Sequence, residues 1–167
     1  MHRLRPNIST RRRLQYARGF VELGMLSEAA AELEAVAGPD LLSTEAMEVR
    51  IDLHMAAKHW ELVVAMAHEF ATRYPGEEKG WIAWAFALRE LDRIVEAKAT
   101  LLQAEALLGS KCSVLHYNLA CYHCLLGEEK LARDRLRRSF KMQQSWREAA
   151  LADPDLLAMR AEIERMK

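Results

Sequence analysis

Residues 78–108 read EKGWIAWAFALRELDRIVEAKATLLQAEALL, and this stretch decides the fold. Trp81, Trp84, Ala85 and Leu88 follow one another at helical intervals, which at about 100° per residue sets them on one helix face. Ala97, Leu101 and Ala104 do the same after Asp92. The spacing predicts two amphipathic helices, about 78–91 and 94–108, with a tight turn between them.

Working outward, the same pattern returns on both sides. Small or apolar residues recur at Ala17, Ile51, Ala85 and Ala120, with steps of 34, 34 and 35 residues. Two further series, Ala29, Val63, Ala97, Ala132 and Leu33, Ala67, Leu101, Leu136, keep the same register. So does a turn series, Gly24, Lys58, Asp92 and Gly127. A fixed period of this length marks a helical repeat array. Each unit is expected as helix, turn, helix: about 10–24 and 27–37, 44–57 and 60–73, 78–91 and 94–108, 113–126 and 129–143. Gly24 and Gly127 stand where a helix ends, because glycine takes the left-handed conformation without a Cβ penalty. Ser27 is expected as an N-cap for the helix that follows.

Gly38-Pro39, Tyr74-Pro75-Gly76, Leu108-Gly109-Ser110 and Gln143-Gln144-Ser145 separate the units and break helical propensity or cap the next helix. One domain is expected, with repeats at about 10–43, 44–77, 78–111 and 113–146 and capping helices over 147–167. In the tail, Asp153-Pro154-Asp155 reads as an N-cap followed by proline at the first helical position, opening a helix to about Met166. Trp146, Leu151, Leu156, Leu157 and Ile163 are expected to cover the last repeat, whose apolar face would otherwise meet water.

Composition narrows the function classes. The 167-residue chain balances 24 Lys and Arg against 24 Asp and Glu, so no net field draws it to nucleic acid or anionic membrane. The basic N-terminus lacks a following apolar run, and no stretch is long and apolar enough to span a bilayer. A cytoplasmic protein with no membrane association is expected. Cys112, Cys121 and Cys124 form an odd set in one segment, a poor disulfide framework, and reduced thiols are expected.

The signature residues of the third unit, together with Tyr117-Asn118-Leu119-Ala120-Cys121-Tyr122 and Leu126-Gly127-Glu128 in the fourth, resemble the tetratricopeptide repeat (TPR) family over roughly residues 10–160. The second unit departs most, with Ile51, Val63 and Lys58 at positions otherwise small or glycine. The resemblance implies an all-α, right-handed α-solenoid of antiparallel helix pairs, in which the first helix of each pair lines a concave surface. Small side chains at Ala85 and Ala97 suit such close helix pairs, with Trp84, Leu88 and Leu101 filling the space between neighbours.

Three constellations compete with a binding role. His116, Cys121, His123 and Cys124 are zinc-type ligands, yet Cys121 lies roughly 140° around the helix from His116, so the four do not converge from one straight helix. They read as packing residues. Arg11-Arg12-Arg13, with Arg3 and Arg5, offers a basic start, but no aromatic residues interleave as single-strand binders require; it reads as a solvated face. Glu45, Glu48 and Asp52 share a helix face without a histidine, serine or glycine-framed pocket to work with. No phosphate loop, nucleophile elbow or zinc helix occurs. No enzyme, cofactor or metal is expected.

On the resemblance, the inward positions are Glu45, Glu48, Val49 and Asp52 in the second unit, Lys79, Ile82, Phe86 and Arg89 in the third, and Val114, Tyr117, Asn118, Cys121 and Leu125 in the fourth. Phe86 and Tyr117 would anchor a peptide or helix of another protein, and Asn118 could bond its backbone. TPR domains that clamp a chaperone's C-terminal carboxylate carry lysines, asparagines and arginine at matching places. Here those places hold Leu14, Arg18, Val49, Lys79 and Ala83, and only Lys79 fits. The reading is a scaffold or adaptor; a dedicated chaperone similar to small TPR secretion chaperones is the alternative, and nucleic-acid binding through the basic start a minor one. Self-association stays open.

Overall fold

The structure, a computed structural model, describes residues 8–166 and is helical throughout, with no strand among them. The helices are α1 (Thr10–Glu22), α2 (Leu26–Glu34), α3 (Thr44–Ala56), α4 (Trp60–Arg73), α5 (Glu78–Glu90), α6 (Ile94–Leu108), α7 (Ser113–Leu125), α8 (Glu129–Met142), α9 (Trp146–Ala152) and α10 (Arg160–Arg165). Short 3₁₀ segments at Gly38–Leu42 and Pro154–Met159 join α2 to α3 and α9 to α10. The helices pack in pairs, and α1, α3, α5 and α7 also touch in succession, forming one row along the molecule.

All four intra-pair turns share one geometry. Gly24, Lys58, Asp92 and Gly127 take positive φ, 72°, 56°, 60° and 73°. In each, the next amide bonds back five residues to a helical carbonyl: Met25 to Phe20, His59 to His54, Arg93 to Leu88 and Glu128 to His123, at 2.8–3.0 Å. This Schellman arrangement satisfies the orphan carbonyls of a helix end. Lys58, despite its side chain, holds the same conformation as the glycines, so the second pair turns like the others. Ser27 lies inside α2, whose N-cap is Met25; the same turn starts the helix too early for Ser27 to cap it.

The core is divided along the row, as a solenoid with nearest-neighbour contacts requires. One cluster joins Leu14, Ala17, Ala29 and Leu33 to Val49 and Leu53. A second joins Ile51, Val63, Ala67 and Phe70 to Ala83 and Ala87. The third and largest runs from Ala85 and Leu101 through Leu119 and Leu136 to Leu156 and Ile163. Ala17, Ala29, Ala67, Ala85, Ala97, Ala120 and Ala132 are fully buried, because a methyl group at each crossing lets the axes approach.

Between the second and third pairs the approach at Gly80 leaves no room for a side chain. A Cβ there would lie 2.6 Å from Phe70 Cδ1 and 2.8 Å from the Ala71 backbone nitrogen. Only a hydrogen fits between α4 and α5.

The tail departs from the expected single helix. Asp153 caps as expected, accepting from the Asp155 amide at 2.9 Å, but Pro154 opens the 3₁₀ segment and α-helix returns only at Arg160. Leu156 and Ile163 are fully buried and cover the last pair, whereas Leu157 is 61% exposed and covers nothing.

Candidate functional site

The charged residues expected on the inner side of the first helices are largely paired with neighbours in the structure. Arg18 of α1 lies 3.7 Å from Glu48 of α3. Asp52 of α3 accepts from Lys79 Nζ of α5. Arg89 of α5 donates through Nε and Nη2 to both oxygens of Asp155 in the tail, the Nε bond at 2.8 Å. Three ion pairs thus tie α1 to α3, α3 to α5, and α5 to the tail. Glu48, Asp52, Lys79 and Arg89 serve as ties between neighbours, partly exposed, before they serve a ligand.

Val49, Tyr117 and Cys121 are not open groove positions. Val49 is fully buried in the first cluster, because its side of α3 turns toward α1. Tyr117 and Cys121 are 6% and 4% exposed because the tail lies on α7. The Tyr117 hydroxyl donates to Asp153 Oδ2 at 2.7 Å, Cys121 Sγ points at the same oxygen from 3.7 Å, and the Tyr117 ring stacks on Trp146 with centroids 4.6 Å apart. Tyr117, expected to anchor a partner, anchors this chain's own tail. Periodicity assigns a residue to a face of its helix, and it carries no information about a segment that later folds over that face.

What stays accessible is the middle of the row. Glu45, Ile82, Phe86, Val114 and Asn118 are partly exposed, and Leu125 is exposed. Phe86 meets the Trp60 ring edge-on, centroids 5.9 Å apart, so its ring is held in place while part of it faces solvent. At the N-terminal end, Arg13 pairs with Glu32 at 3.0 Å while Arg11 and Arg12 are exposed; Arg3 and Arg5 lie outside the described residues.

The cysteine and histidine cluster is dispersed by its bonding. His116, fully buried, contacts the Gly109 carbonyl through Nε2 at 2.7 Å and Arg135 Nη1 through Nδ1 at 3.1 Å. Arginine only donates, so Nδ1 accepts and Nε2 carries the proton. Desolvation lowers the His116 pKa, with the positive charge of Arg138 and Arg135 acting the same way, so the ring is neutral. His123 instead bonds Glu128, which also accepts from Lys98 at 2.8 Å.

A different triad, Cys121, Asp153 and Asp155, brings its ligand atoms within 4.8 Å of one another. Its capacity is already used. Asp153 accepts from Tyr117 and from the Asp155 amide, and Asp155 faces the Arg89 guanidinium. Burial, and the charge of Asp153 and Asp155, push the Cys121 thiol up, and burial pushes Cys112 up to about 11. Such thiols are protonated near neutrality and poor nucleophiles or ligands.

The Arg89–Asp155 pair and the Tyr117–Asp153 bond escaped sequence reading. The available signal was two carboxylates flanking a proline that resists helix, a segment free to reach back across the preceding first helices.

No family model matches the chain, and no curated protein matches it. Among solved structures it is similar to "MamA MSR-1 C2", at TM-score 0.50 and 15% identity over 81% of this chain and 97% of that one. It is similar to "MamA AMB-1 P212121" at TM-score 0.50 and 14% identity, over 81% of this chain and 94% of the other. At that identity the likeness concerns architecture alone. Repeating helix pairs, shared left-handed turns and these structural neighbours lead to one conclusion: the chain has the fold of a TPR-like helical solenoid.

Proposed function

We propose that the chain is a non-catalytic protein-interaction module, a scaffold or adaptor, that holds a peptide segment of another protein along its row of first helices. The observation that carries the reading is the accessible middle of that row. There Ile82, Phe86 and Val114 offer partly exposed apolar surface beside Asn118 and Glu45, bordered by the Asp52–Lys79 pair. A held aromatic ring loses little freedom on binding, and an amide that both donates and accepts matches a peptide backbone. The buried, protonated thiols and the neutral, fully bonded His116 favour binding over catalysis as the use of this surface.

The test is a pull-down with wild type, Phe86→Ala and Asn118→Ala side by side, each checked for helicity and thermal midpoint. A partner retained by wild type and lost by both folded variants supports the row as the site. Unchanged capture by both places binding elsewhere. Tyr117 is unsuited to this test, because its removal would loosen the tail.

A further inference from the structure

The opposite side of the C-terminal end carries a second surface that the row of first helices does not use. Along α8, Arg133, Arg137 and Lys141 follow at intervals of four residues, a stripe about 12 Å long on one helix side. Arg165 forms the facing wall, and Arg147 of α9 closes the far end. Two hollows lie between them, of about 580 and 510 Å³, sharing Arg137 and Met166. A third, of about 570 Å³, continues past Gln144 and Arg147 to Leu151, Glu148 and Glu164.

Most cations of this groove differ from those that tie neighbouring helices together elsewhere in the chain. Arg135 is matched by Glu105, Lys98 by Glu128, Arg89 by Asp155 and Lys79 by Asp52. In the groove Arg133 is matched by Glu162, and Arg137, 65% exposed, has only Asp134 at 3.7 Å, a turn behind it on its own helix. Among the described residues Lys141, Arg147 and Arg165 take part in no ion pair; Arg147 and Arg165 each donate to a backbone carbonyl, Glu164 O and Ala161 O. In a chain with no net charge, this concentrates unneutralised positive charge around an apolar floor of Phe140 and Met166.

We infer that the α8–α10 groove binds a short acidic segment of a partner protein, with carboxylates on Arg137, Lys141 and Arg165 and an apolar side chain on Phe140 and Met166. Charge complementarity selects the sign of the ligand. The floor selects its class: Phe140 packs against the core rather than lying open for a base to stack on, as single-strand binders need. Glu148 and Glu164 at the far end would repel a phosphate backbone that continued along the groove. At about 3.3 Å per residue, the stripe matches roughly four residues of extended peptide.

The experiment uses fluorescence anisotropy with a labelled synthetic peptide rich in glutamate and leucine, and compares wild type, Arg137→Glu/Lys141→Glu and Phe86→Ala. Both substituted cations are exposed, and unchanged circular dichroism shows the fold intact; Arg137→Gln/Lys141→Gln gives a milder version if charge reversal disturbs it. The expected result is binding by wild type and Phe86→Ala alike, weakened by about tenfold or more in the reversal variant and falling with added salt. A lysine and leucine peptide should bind the reversal variant better than wild type. Equal affinity of wild type and the folded reversal or glutamine variant overturns the inference, as does tighter binding of a single-stranded oligonucleotide than of the acidic peptide. Loss of acidic-peptide binding in Phe86→Ala also overturns it, and would place that peptide in the row of first helices instead.

Discussion

Adding one methyl group at Gly80 and one at Gly19 should move stability in opposite directions. Both glycines sit inside helices, α5 and α1, where replacing glycine by alanine normally stabilises by about 0.5–1 kcal/mol through backbone entropy. At Gly19 nothing lies within 4 Å of the new Cβ, so Gly19→Ala should realise that gain. At Gly80 the Cβ meets the Ala71 nitrogen at 2.8 Å and its Cα at 3.1 Å. Phe70 is fully buried and the α4 backbone is fixed, so neither yields without a shift of the helix. Ordinary contact begins near 3.4 Å, so α4 and α5 must part by about 0.6 Å. Overpacking of this kind costs about 1–3 kcal/mol. After the propensity gain is subtracted, Gly80→Ala should destabilise by about 1 kcal/mol, lowering the thermal midpoint by roughly 2–4 °C for a chain of this length. Gly19→Ala should raise it slightly. Urea and thermal unfolding followed by circular dichroism measure both. A Gly80→Ala protein as stable as wild type, or two variants shifting the same way, would refute the close approach of α4 and α5.

Further outcomes follow from the turns, the tail and the buried histidine. Lys58→Gly should stabilise by about 1 kcal/mol, because a Cβ at φ 56° carries a left-handed penalty of that order; Asp92→Gly should gain less, since aspartate tolerates this region. A loss of stability in Lys58→Gly would show that turn to be misassigned. Arg89→Ala should destabilise by about 1–2 kcal/mol by stranding Asp155, allowing for solvent screening of a partly exposed pair; an unchanged urea midpoint would dismiss that tie. His116 has its pKa lowered in the folded state from the ordinary 6.5, so the unfolded chain binds the proton first. Its contribution is present above about pH 6.5 and is lost as pH falls. The urea midpoint should drop between pH 7.5 and 5.5, and a His116 resonance titrating at or above its ordinary value would contradict this.

The repeat was legible because each unit solves the same packing problem with the same residue sizes. Ala85 and Ala97 mark helix crossings, and Gly24 and Gly127 mark turns, so the period could be read even where Lys58 breaks it. Gly80 was not legible as a contact, since the other units carry Arg12, Ala46 and Leu115 at the corresponding place; a close approach used once has no period. Phase along α3, α5 and α7 assigned Glu45, Phe86 and Asn118 to one side of their helices, and all three are partly exposed. It could not report that Val49 turns toward α1, or that Tyr117 and Cys121 lie under Asp153. Those facts depend on neighbours supplied by distant parts of the chain. The basic stripe of α8 was in plain view in the sequence, but only the return of α10 beside it gives it a second wall.

The tail laid on α7 and pinned to Arg89 has a consequence for whatever lies along the inner row. A repeat array open at both ends lets a strand slide through and be gripped at any point of its length. On the proposed reading the tail would stop one end of the row, making it a blind alley with a fixed far wall. A bound segment would be measured from that wall, and its register would be set by how far its own end, or a bend in it, can advance toward Asp153 and Asp155.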